Sequence, residues 1–160
     1  MRTETITIYT FGELPSERAK EKAREWWRHS DSDYPWRDDA ITSINHFCAH
    51  FGVKLTDYEV STHRPYSFKT DADNHHFRGR KLKDFNANHA PTGYCLDYTL
   101  WHTFYKEFER SGSARGAFSD ALHAAFKDIV SDMEWQDSDE CVDETLVINE
   151  YEFTADGARY

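Results

Sequence analysis

A chain of 160 residues can bury one sizeable core, so a single domain over residues 1–160 is the simplest reading. Aromatics at 16% and charged residues at 30% read as a globular chain, not a disordered one, and a net charge of −10 argues against direct binding of nucleic acid or an anionic membrane over the whole surface. No apolar run approaches a membrane span, and the opening MRTETITIYTF lacks the apolar core of a signal peptide, so a cytoplasmic location is expected, with no membrane contact.

Residues 4–11 alternate polar with β-branched apolar side chains and predict a half-buried strand. Pro15 and Ser16 then start a helix that runs to about Arg28, with Ala19, Ala23, Trp26 and Trp27 on one face and Glu17, Lys20, Glu21, Arg24 and Glu25 on the other. HSDSDYP breaks it. A second helix, roughly Pro35 to Phe51, carries Ala40, Ile44, Phe47, Cys48 and Phe51 in a stripe and stops at Gly52. VKLTDYEVSTH and RPYSFKTD read as strands, DADN as a turn, HHFRGRKLKDF as a third, basic strand or extended loop, and NANHAPTG as a linker. Leu100, Trp101, Phe104, Tyr105 and Phe108 mark a helix that ends before SGSARG. Phe118, Ala121, Leu122, Ala125, Phe126, Ile129, Val130 and Met133 mark another, from about Ala117 to Glu134. SDECVDETLVIN is a short helix capped by Asp137 or Ser138, and residues 150–154 alternate again as a closing strand.

This order predicts an α+β fold in which an antiparallel sheet, made of a central meander and the two terminal strands, is packed by about five helices. Residues 4–11 and 150–154 should share that sheet, with Phe118, Leu122, Phe126 and Val130 buried against its inner face. Cys48, Cys95 and Cys141 are odd in number and form no CxxC pair, so they read as mostly buried thiols, not as disulfides or a zinc site.

The opening IYTFGELPSERAKEKAREWWR and the ending SDECVDETLVINEYEFTADG resemble the head and tail of a group of small proteins encoded by bacteriophages and prophages. Members open with a strand, a Phe-x-Glu-Leu turn and a Glu/Lys/Ala-rich helix, and close with an Asn-Glu-Tyr-Glu-Phe-Thr-x-Asp-Gly signature, here Asn149 to Gly157. The resemblance implies a phage or mobile-element accessory protein acting in the host bacterial cytoplasm, with anti-defence activity, anti-CRISPR activity included, as the expected class.

Lysine, arginine and histidine are absent from Asp128 to Ala158, where eleven of the chain's 29 carboxylates lie. Solubility accounts for part of this run, and Asp137, Asp139 and Glu140 suit a helix N-terminus. Local stability does not explain Asp132 and Glu134 near a helix C-terminus, or the like-charge i,i+4 pairs Asp139/Asp143 and Glu140/Glu144. Carboxylates on adjacent helical turns lie about 5–6 Å apart, near the spacing of successive phosphates. Asp132, Glu134, Asp137, Asp139, Glu140, Asp143, Glu144, Glu150 and Glu152 therefore form the candidate partner-binding set, with Trp135, Tyr151 and Phe153 as neighbouring rings. The expected partner is a host defence protein or ribonucleoprotein complex with a basic nucleic-acid groove, and the expected protein is a non-enzymatic inhibitor without a cofactor.

Two alternatives stand beside it. Asp39, His46 and His50 fall on one helical face and could hold a divalent ion for a metal-dependent enzyme. A toxin-neutralising or phage assembly partner would pair the acidic face with a basic protein. DADNHH and DSDECVDE fail as calcium loops, having His76 and Val142 where the sixth-position glycine belongs. His63, His75, His76 and His89 show no regular ligand spacing. The basic cluster Arg78 to Lys83, flanked by Phe77 and Phe85, fits a single-stranded nucleic-acid groove, a protected edge strand, or the counterpart of the acidic end in a homodimer.

Overall fold

A computed structural model describes residues 6–30, 35–85 and 94–160. Among these residues lie six α-helices and two small two-stranded antiparallel sheets, so the α+β class holds. The chain forms two compact units, a terminal unit from residues 1–33 and 134–160 and a middle unit from residues 34–133.

In the terminal unit, β1 (Tyr9–Thr10) leads into a 3-10 turn (Phe11–Glu13), and α1 (Glu17–His29) follows. The Glu13 carboxylate accepts from both the backbone N–H and the hydroxyl of Thr10, which fixes the turn and holds the carboxyl below its ordinary pKa. Ser16 caps α1 by accepting from the Ala19 N–H. The C-terminal half supplies α6 (Asp139–Ile148), capped by Ser138, and β4 (Glu152–Phe153). β4 pairs antiparallel with β1, Tyr9 opposite Phe153 and Thr10 opposite Glu152, so the two ends pair over two residues each, in a sheet of their own and not in one sheet with the central strands as expected. Phe11, Leu14, Ala19, Ala23, Val142, Leu146 and Phe153 are the core, closed by edge-on contacts of Trp26 with Tyr151 and Phe153.

In the middle unit, α2 (Pro35–His50) ends at Gly52, whose φ of 71° is the left-handed conformation a helix stop uses. β2 (Leu55–Glu59) and β3 (Ser67–Thr70) form an antiparallel hairpin. α3 (Asn74–Phe77), α4 (Asp97–Ser111) and α5 (Ala114–Asp137) follow, the last four residues of α5 belonging to the terminal unit. Ring stacking organises this core: Phe47 lies on Phe118 at 5.5 Å and 9°, and Phe68 on Phe126 at 4.8 Å and 8°.

Three expectations change. The central meander is a hairpin, because HHFRGRKLKDF folds as α3 and a 3-10 turn (Leu82–Phe85); Asp73 caps α3 and takes the chain out of extended geometry. Phe118, Leu122 and Phe126 bury in the middle core among Phe47, Phe51, Phe104 and Phe68, and Val130 is only half-buried; the core side of the terminal ladder is filled by α1 and α6. Cys95 is exposed, whereas Cys48 is buried and its thiol is pushed up to about 12 by burial. The linker NANHAPTG, the break at residues 31–34 and His89 lie outside the described residues. No described helix is long and apolar enough to cross a membrane.

Candidate functional site

The acidic run divides by task. Asp143 accepts twice from Arg24, at 2.7 Å from Nε and 2.9 Å from Nη2, and Arg24 is only 8% exposed. The same guanidinium donates to Glu17 and Glu21 and lies 5.6 Å over the Phe11 ring. Asp139 is taken by Arg28, which holds its carboxyl below the usual range; Arg28 also donates to the carbonyl of Asp137. Asp156, outside the predicted set, accepts from Lys22 at 2.6 Å and from the Thr154 hydroxyl, and its carboxyl is held low by the Lys22 hydrogen bond first and Thr154 second. Asp139 and Asp143 therefore face the bases of α1 instead of lying wholly on the solvent side of α6.

Asp132 sits in the middle unit, its carboxyl raised by burial and by Asp128. Glu134, Glu140, Glu144, Glu150 and Glu152 are exposed, and no ion pair of theirs occurs among the described residues. With the core side of α6 set by Val142 and Leu146, about 100° per residue puts Glu140, Glu144, Val147 and Ile148 together on the opposite side. Val147 is 54% exposed and Ile148 76%. Two aliphatic side chains thus share the outer face of a ten-residue helix with two unpaired carboxylates. The acidic signal alone missed Val147 and Ile148; a wheel drawn on the two core positions would have found them. Of the neighbouring rings, Trp135 is exposed at 49%, while Phe153 is core and Tyr151 is half-buried.

Glu150 carries a second anomaly. It is the described non-glycine residue with positive φ, at 51°. Its N–H donates to the Val147 carbonyl and that of Tyr151 to the Leu146 carbonyl, the paired bonds of a left-handed helix stop, with Tyr151 folding back onto the Leu146 core. Glycine suits this position best, and a carboxylate beside the helix C-terminus opposes the dipole. Glu150→Gly is therefore expected to stabilise the protein by about 1 kcal/mol, measured as a higher urea midpoint at unchanged slope.

The other candidate residues are dispersed. The His46 ring lies 6.0 Å from Tyr94 and the His50 ring 5.1 Å from Trp101, and Asp39, His46 and His50 do not form a ligand cluster among the described residues. Arg78, Arg80, Lys81 and Lys83 are exposed, but Phe77 is buried in the core and gives a nucleobase no platform. Comparison with protein-family models, with curated proteins and with solved structures finds no match.

Proposed function

We propose that the chain is a non-enzymatic binding protein that docks through the outer face of α6 onto a positively charged, nucleic-acid-handling complex. The single observation that carries this reading is the outer face itself, where exposed Val147 and Ile148 lie beside Glu140 and Glu144, two carboxylates left over after α1 has taken Asp139 and Asp143. Solubility asks for carboxylates and gives no reason to expose two aliphatic side chains among them. An interface uses both, since apolar area supplies affinity and unpaired charge supplies steering. Glu150 supports the reading from another side, because an acid retained where glycine is more stable points to a use other than folding.

The narrower assignment is a phage-encoded anti-defence inhibitor of the anti-CRISPR kind, supported by the resemblance of the head and tail to phage proteins. Its partner is a host defence ribonucleoprotein whose basic groove accepts α6 in place of nucleic acid. Competition with DNA for a purified CRISPR effector tests it. Glu140→Lys with Glu144→Lys, leaving Asp139 and Asp143 in place, should weaken competition by about tenfold or more at low salt and flatten its salt dependence. Val147→Ser with Ile148→Ser should weaken it without altering the salt slope. Competition equal to wild type in both double variants would remove the α6 face from the reading. Binding instead to a basic toxin or phage assembly protein, with the same sensitivity to the two variants, would keep the face and change the partner.

A further inference from the structure

The middle unit holds a convergence of side chains that the acidic-face reading does not use. Asp73 follows β3 and opens the one-turn helix α3. Its carboxylate Oδ1 accepts from the His75 N–H at 2.7 Å, and its own N–H donates to His76 Nδ1 at 3.1 Å. The His75 Nδ1 contacts that same Oδ1, and His76 Nδ1 is 3.6 Å from it. The two imidazole rings have their centroids 3.8 Å apart. One potential ligand atom from each of Asp73, His75 and His76 falls within 4.8 Å of the others, the one such group among the described residues.

A helix cap requires the Asp73 carboxylate and two backbone N–H groups. The His76 imidazole completes that cap as a capping box, its Nδ1 accepting from the Asp73 N–H, and the His75 imidazole has no part in it. The two rings lie tilted by 34° with their centroids 3.8 Å apart, beside one carboxylate oxygen that both Nδ1 atoms approach. A divalent ion would use all three donors at once. We propose that Asp73, His75 and His76 form a binding site for a first-row divalent ion of the zinc, cobalt or nickel kind.

The donor set selects the class. Two imidazole nitrogens and one carboxylate oxygen suit a borderline ion with nitrogen–metal distances near 2.0–2.1 Å, and they provide too few oxygens for calcium or magnesium. The remaining coordination positions would hold water. The scaffold is anchored on its inner side: His76 has only 12% of its side chain exposed, Phe77 beside it is in the core, and Asn74 accepts from Arg115 of α5 at 2.6 Å. His75 and Asp73 are exposed and can close on the ion by side-chain rotation. The spacing Asp-x-His-His escapes a search for i,i+4 histidines because the cap and first turn of α3 bring together donors at i, i+2 and i+3.

Zinc titration of the full chain by calorimetry tests the site, with cobalt absorption as a report on coordination. Wild type should bind one zinc ion per chain and unfold at a higher temperature when loaded, because the ion binds only the folded form. His75→Ala with His76→Ala should abolish binding. His76 is partly buried, so two further variants keep the test independent of folding: His75→Ala alters an exposed side chain, and Asp73→Asn retains a capping oxygen while removing the charge. Each should weaken zinc by more than tenfold. His46→Ala with His50→Ala should bind as wild type. Absence of zinc binding, or binding unchanged in His75→Ala and Asp73→Asn, would overturn the proposal.

Discussion

Gly157→Ala is expected to destabilise the protein by about 3 kcal/mol or more, the largest effect of a methyl group added at any of the described glycines. Gly157 is buried with φ at 81°, a conformation in which a side chain alone costs about 1–3 kcal/mol. Its surroundings add to that. A Cβ built there would lie 2.8 Å from the carbonyl carbon and 2.9 Å from the Cα of Ala19, and closer still to the Ala19 carbonyl oxygen. These are backbone atoms of α1 that cannot rotate aside, so the tail must lift off the helix. Lifting it would strain the Lys22–Asp156 pair and the bonds that close the last turn, where Thr154 N–H donates to the Ala158 carbonyl. Urea unfolding followed by tryptophan fluorescence measures the loss, since Trp26 and Trp27 lie against Tyr151. A variant within about 0.5 kcal/mol of wild type would mean that the close approach of tail to helix is wrong.

Arg24→Ala should cost about 2 kcal/mol, and the comparison with Arg24→Lys shows where that cost arises. Removing the guanidinium leaves Asp143, Glu17 and Glu21 facing one another and uncovers the Phe11 ring. Glu17 and Glu21 are well exposed, so solvent screens them and most of the penalty falls on Asp143 and on lost packing. Lysine restores the charge without the fork that grips both Asp143 oxygens, and should recover about half of the loss. Equal destabilisation by alanine and lysine would assign the whole effect to the bidentate geometry. Full recovery by lysine would assign it to charge.

Helix boundaries were legible where a local rule controls them. Ser16, Ser138 and Gly52 are two caps and a stop, each set by one side chain or one φ angle; Ser16 and Gly52 stand where the sequence puts them, and Ser138 is the one of the two offered caps, Asp137 or Ser138, that the structure uses. The apolar stripes of α2 and α5 were legible as core, but their partners were not. Periodicity shows that Phe126 is buried and carries no information that Phe68 is the ring upon it. The basic stretch after DADN was misread because its residues tolerate a strand, while the deciding event, Asp73 turning the chain into α3, depends on hydrogen bonds that spacing does not display. The acidic run was found as a charge imbalance. Its division into structural and free carboxylates was hidden, because Arg24 and Arg28 lie more than 100 residues from the acids they bind.

The opening and closing stretches of the chain are partners in one unit: Gly157 seats on Ala19, Asp156 on Lys22 and Tyr151 on Trp26. That unit is assembled from sequence separated by 134 residues at its widest ion pair, which sets an order of events during synthesis. As the chain leaves the ribosome, α1 emerges early with its tryptophans uncovered and must wait until residue 157 has been made. The middle unit is contiguous, and forming it first replaces a long floating loop with a folded spacer, so that closure of head on tail no longer bears the entropy of about 100 unstructured residues. The charges on that segment have two uses in consequence: before closure Glu17, Glu21, Lys22 and Arg24 would be hydrated, and after it Arg24 holds Asp143 and Lys22 holds Asp156.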